Sequence, residues 1–83
     1  MDRATANGVH SLSAREQRVL ELATLGLTNH EIAERIGVSV HAVKFHLASV
    51  YRKLHVGNRT EAAVRYLEAR HAAVGATEAD RGS

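Results

Sequence analysis

The 83-residue sequence contains no cysteine, no proline and no tryptophan. Without cysteine there is no disulfide and no thiolate metal site, a composition that suits a reducing compartment. No apolar run approaches the roughly 20 residues of a membrane-spanning helix, and the N-terminus lacks the apolar stretch of a signal peptide. A cytoplasmic protein that does not enter the membrane is therefore expected. There is no internal repeat and no strand signal, so the expected fold class is all-α. The lack of strands also argues against winged helical modules, which need a β-hairpin after their third helix.

Catalytic constellations are missing as well. Ser11, Ser13, Ser39 and Ser49 have no positioned base with a carboxylate partner. No glycine-rich loop could cradle a phosphate, and a helical domain this small has little room for a substrate pocket. The six histidines (His10, His30, His41, His46, His55, His71) include no i, i+4 pair and have no cysteine partners. The ligand spacings of a structural metal site are absent. The expectation is a protein that is not an enzyme, with no cofactor and no metal.

Charge is present but unevenly placed. The net charge is only +2, with a pI near 9.5. Residues 28–60 hold Arg35, Lys44, Arg52, Lys53 and Arg59 against Glu31 and Glu34, a surplus of three positive charges. The segments on either side are near balance. A basic surplus confined to one segment suits a polyanionic partner, although a solvated surface has the same composition.

Helix signals follow one another along the chain. Residues 1–11 are polar and unperiodic and read as a flexible lead. Ser13-Ala14-Arg15-Glu16 is a capping box that opens a helix over about 14–25, with Val19, Leu20, Leu22 and Ala23 on its buried side. Gly26 ends it. Thr28-Asn29-His30-Glu31 is a second box, opening a helix over 29–36 that Gly37 closes with φ > 0. Ser39 caps a third helix over 40–54, whose apolar side is Val43, Leu47, Val50 and Leu54. Asn58 and Glu61 start a fourth over about 60–72, with Ala63, Val64 and Leu67 facing the core. Residues 74–83 read as a disordered tail, leaving one domain over 12–73. Its ordered part, about 60 residues, is near the lower limit for one small core.

The second and third helices, joined by a tight glycine turn, form a helix-turn-helix pattern. Ala33 lies four residues before Gly37, where two steeply crossing helices nearly touch, and Val43 six residues after it. The pieces LSAREQRVLELATLGLTNHEIAERIGVS, AVKFH and YRKLHVGNRTEAA stand in order over residues 12–67. Together they resemble the LuxR-type (GerE, NarL) DNA-binding domain of bacterial transcription regulators. The resemblance implies four helices, of which the third reads double-stranded DNA in the major groove and the fourth often pairs two domains. RNA polymerase is a further partner on this reading. The alternative is a protein-interaction or sigma-region-like helical module that binds no specific operator.

Candidate contacts follow. On a helical wheel, His41, Lys44, Phe45, Ala48 and Arg52 share the side of the third helix opposite its core stripe. The base-contacting positions of the family match Lys44, Phe45 and Ala48, and His41 shares their face. Lys44 could bond a guanine edge or a phosphate, and Phe45 could meet a thymine methyl or a sugar. Ala48 departs from the longer polar residue common in the family, so readout leans on methyl contact and DNA shape. Ala42 replaces a threonine whose hydroxyl reaches phosphate. Phosphate contacts are expected at the helix starts Thr28, Asn29, His30, Ser39 and Val40, and from Arg52, Lys53 and Arg59. For Lys53, the competing reading is partial burial of its stem against the core, with its head at the fourth helix. Along the fourth helix Ala62, Tyr66, Ala69 and Ala73 form a second stripe, the expected self-association face, too small to pair copies firmly without DNA.

Overall fold

A computed structural model describes residues 9–82, with side chains described for residues 9 and 11–72. A 3-10 turn, Val9–Ser11, leads into four α-helices: α1 (Ala14–Thr24), α2 (Asn29–Ile36), α3 (Val40–Leu54) and α4 (Arg59–Gly82). No strand occurs among the described residues, and none of their helices is long and apolar enough to cross a membrane.

The helix starts are held as the capping residues dictate. The Glu16 amide donates to Ser13 Oγ (3.0 Å), and the Ser13 amide donates to Glu16 Oε1 (2.8 Å). Thr28 and Glu31 repeat this at α2, at 3.1 and 2.8 Å. Ser39 Oγ accepts from the Ala42 amide at α3 (3.0 Å). At α4, Asn58 Oδ1 accepts from the Glu61 amide, while the Glu61 carboxylate takes the Gly57 amide. Each cap satisfies amides that the first helical turn leaves without partners.

Two glycines and one histidine end helices in left-handed conformation. Gly26 (φ +96°) follows α1, and Gly37 (φ +73°) ends α2 with its amide on Ala33 O. A Cβ at Gly37 would meet nothing within 4 Å, so backbone conformation alone calls for glycine there. The third stop is His55, at φ +58°. A side chain in this region costs on the order of 1 kcal/mol relative to glycine.

Two apolar clusters make the core. In one, Val19, Leu22 and Ala23 of α1 meet Ile32 and Ala33 of α2 and Val43 and Leu47 of α3. In the other, Leu20, Val50 and Leu54 meet Ala62 and Tyr66 of α4, closed by Val9 and Leu12. Tyr51 packs against both. Burying each large aliphatic side chain contributes about 1.5–3 kcal/mol. The first half of the α3 stripe thus packs on α1 and α2, and its second half on α1 and α4.

Several expectations need correction. The stripe Ala62, Tyr66 and Ala69 faces inward: Ala62 is fully buried, Tyr66 is 8% exposed, and Ala69 packs against the same cluster. Val64 and Leu67, expected in the core, are 48% and 53% exposed. The inversion has a steric reason. Ala62 lets the α4 backbone come close to the helices below, and the long Tyr66 ring fills the space one turn later. The fourth predicted member, Ala73, lies outside the described side chains. The lead also differs: residues 1–8 lie outside the described residues, but Val9 is buried and extends the core beyond the expected start at residue 12. At the other end, the α4 backbone continues past Ala72 to Gly82, where a disordered tail is expected from the sequence.

Candidate nucleic-acid interface

Helix α3 divides by depth as its sequence pattern requires. Val43, Leu47, Val50 and Leu54 are buried, whereas His41, Lys44, Phe45, Ala48 and Arg52 are exposed. Phe45 is 69% exposed, among the largest apolar exposures of the described residues. Its ring lies edge-to-face with that of His46, with centroids 6.0 Å apart and planes at 68°. Lys44 has no hydrogen-bond or ion-pair partner among the described residues. An unpaired cation, a bare aromatic ring and a methyl group therefore lie along one face, free to meet a ligand.

The starts of α2 and α3 offer polar groups beside this helix. Thr28, His30 and Ser39 are exposed, and Asn29 and Val40 are half-buried. At α2 the capping box uses the amides of Thr28 and Glu31, leaving those of Asn29 and His30 outside it. At α3 the Ser39 cap uses the Ala42 amide and leaves those of Val40 and His41. Such first-turn amides, with the positive end of the helix dipole behind them, are suited to donate to anionic oxygens.

The basic residues expected at the edges divide into two groups. Arg52 stands exposed, with one long contact to Ser49 Oγ (3.4 Å). Lys53 turns inward: its Nζ lies 2.8 Å from Glu16 Oε1. Arg59 also turns toward protein, donating to Leu27 O (2.6 Å) and to Asn29 Oδ1 (2.8 Å). Asn29 and Arg59, both expected at phosphates, are thus brought together, while Lys53 is drawn toward α1.

Glu16 is the structural support of α3 that local pattern reading misses. It is the capping residue of α1 and also the buried anchor of α3. Ser49 Oγ donates to its Oε2 (2.6 Å), and Lys53 donates to its Oε1. Burial alone would raise the Glu16 carboxyl. Hydrogen bonds from Lys53, Ser49 and the Ser13 amide, with the Lys53 charge, more than offset this and hold it at about 2. Ser49 and Lys53 stand four apart on α3, a spacing that could have signalled a shared partner; nothing local says that the partner is Glu16.

Two half-buried aliphatic residues, Val40 and Val38, and the exposed glycine turn complete the α2–α3 corner. This is a helix-turn-helix in sequence order, capping and packing. The profile of the family described as "Bacterial regulatory proteins, luxR family" matches residues 10–66.

The chain belongs to the luxR family of bacterial regulatory proteins. These are regulators and not enzymes. The chain is 46% identical over 54 residues to the Escherichia coli (strain K12) protein YhjB, covering 65% of this chain and 27% of that one. It is 42% identical over 53 residues to the two-component response regulator PprB of Pseudomonas aeruginosa, covering 64% of this chain and 19% of PprB. To the transcriptional regulatory protein LiaR of Bacillus subtilis (strain 168) it is 43% identical over 54 residues, covering 65% and 26%. The matched segment is less than a third of each relative. Within the luxR-family segment lie α1 to α3 and the first turns of α4, hence every exposed α3 residue named above.

Proposed function

We propose that this chain is the sequence-specific DNA-binding effector domain of a cytoplasmic bacterial transcription regulator, with α3 entering the major groove. The observation that carries this reading is the outer face of α3, where Phe45 is 69% exposed beside the unpaired Lys44. A bare phenylalanine on a small domain is costly in water and useful against a thymine methyl or a deoxyribose. His41, Lys44, Phe45 and Ala48 meet base edges, and the short Ala48 leaves part of the specificity to DNA shape. The amides at the starts of α2 and α3, together with Arg52, grip the phosphates on either side.

Two copies bind side by side on DNA and pair through α4. The pairing face is the exposed side of α4 around Val64 and Leu67, in a shallow groove with His71 and Ala72. Two such aliphatic residues bury far less than the roughly 1,200 Å² of a stable interface. Pairing is therefore weak in free solution and strengthened when DNA holds both copies, by effective concentration. Output runs through RNA polymerase. Selection from random duplex DNA tests the reading: it should return two half-sites about one helical turn apart. Recovery of no common motif would overturn sequence-specific binding.

A further inference from the structure

We infer that Arg59 is a positioning residue for the phosphate-facing start of α2, acting through Asn29 and Leu27, and not itself a phosphate ligand. The inference rests on the proposed DNA-binding reading. Arg59 is the first residue of α4, yet both of its recorded contacts are with the α1–α2 turn more than 29 positions earlier in the chain. One guanidinium nitrogen donates to Leu27 O at 2.6 Å and the other to Asn29 Oδ1 at 2.8 Å. These acceptors flank Thr28, the N-cap of α2. The fork therefore spans the cap and fixes the residue just before it and the residue just after it.

What this fork holds is the group of amides expected to meet phosphate. Asn29 and His30 offer the first-turn amides that the Thr28–Glu31 box leaves unused. The geometry of those amides depends on the direction of the chain entering α2. The Schellman-like bond from the Leu27 amide to Leu22 O (3.2 Å) sets that direction from the α1 side. Arg59 sets it from the α4 side. A guanidinium suits this work because its planar donors reach two acceptors at fixed separation. A lysine carries the same charge on a single flexible ammonium and cannot hold both at that geometry. With Asn29 Oδ1 accepting from Arg59, the donors of Asn29, its backbone amide and Nδ2, are what remain for DNA.

The charge-conserving variant Arg59→Lys separates positioning from phosphate contact. A phosphate contact would be met almost as well by lysine. Positioning requires the fork. Duplex binding by Arg59→Lys should be about tenfold weaker than wild type at every salt concentration, with the slope of log K against log salt unchanged. Adding Asn29→Ala to Arg59→Lys should cost little more, because the two residues act as one unit. In the free chain, amide exchange of Ile32, whose amide donates to Thr28 O at 2.8 Å, should speed up in Arg59→Lys. Exchange at Leu47 and Val50 in α3 should stay as in wild type, which distinguishes local loosening from loss of the fold. Arg59→Lys binding DNA as wild type does, or leaving Ile32 exchange unchanged, would overturn the inference. A wild-type chain that shows no salt-dependent binding would instead overturn the DNA-binding reading. The exchange measurement, made without DNA, tests the Arg59 link in either case.

Discussion

Replacing Glu16 by glutamine removes one charge from the junction of α1 and α3 while keeping the shape and a capping-box side chain. The folded-state pKa of Glu16 is about 2, against an ordinary 4.5. The folded value is depressed, so the associated stability is fully present above the ordinary value and is lost as pH falls through the folded one. At 1.36 kcal/mol per unit the shift corresponds to about 3 kcal/mol at neutral pH. Lys53 is half-exposed, and solvent screening on its side reduces this to about 2 kcal/mol. For a domain of this size that lowers the melting temperature by roughly 8–16 °C. Urea unfolding of wild type and Glu16→Gln across pH is the assay. Because the other carboxylates titrate in both proteins, the difference between them isolates Glu16. The wild-type advantage should be constant above about pH 5, shrink through pH 4 and 3, and vanish near pH 2. An advantage that stays the same from pH 7 to pH 3 would refute the depressed carboxyl, and no advantage at pH 7 would refute the anchor itself.

Other perturbations have equally definite outcomes. His55→Gly relieves a left-handed side chain in an exposed C-cap and should stabilise the fold by about 0.5–1 kcal/mol in urea melts. Val64→Glu or Leu67→Glu should abolish cooperative binding to a two-half-site duplex, leave single-half-site binding and the thermal melt unchanged, and contrast with Tyr66→Glu, which should unfold the domain because Tyr66 is core. Lys44→Ala and Phe45→Ala should each cost about 1–3 kcal/mol on the preferred site and relax preference among sequences. Arg52→Ala should weaken all duplexes alike, a difference that competition binding with specific and random DNA measures directly.

The parts of this molecule that the sequence makes legible are the ones set by neighbours in the chain. Ser13 with Glu16, Thr28 with Glu31, and Gly37 each act within four residues, so helix starts and the sharp corner of the helix-turn-helix follow from local chemistry. The division of α3 into a buried and an exposed side follows from a strong 3.6-residue pattern, and the exposed residues are the ones expected at bases. Helix α4 lacks such contrast. Alanines and single large residues line two sides of it, and the choice between them depends on how closely its backbone approaches α1 and α3. Ala62 permits that approach, a tertiary fact that no window of α4 contains. Lys53 and Arg59 were expected at phosphate for the same reason. Their partners, Glu16 and the Leu27–Asn29 turn, are 37 and about 30 residues away, and a basic side chain beside the helix proposed to read DNA has no local mark that it is already engaged. His55 rather than a glycine ends α3, in left-handed conformation, which no glycine signal in the sequence marks.

The measurement that bears most directly on the proposed function is the salt dependence of binding to a two-half-site duplex. Engagement of Lys53 and Arg59 within the protein leaves Lys44 and Arg52 as the exposed cations of the α3 face. Two per protomer, and two protomers, bring about four cations against the polyanion, whether at a base edge or a phosphate, hence a slope of log K against log salt near −4. A fluorescence-anisotropy titration over a series of salt concentrations gives that slope. A value between about −3 and −5 supports two domains gripping DNA through α3 and its flanking helix starts. A slope near zero would contradict the central claim and turn attention to a protein partner for the same exposed face.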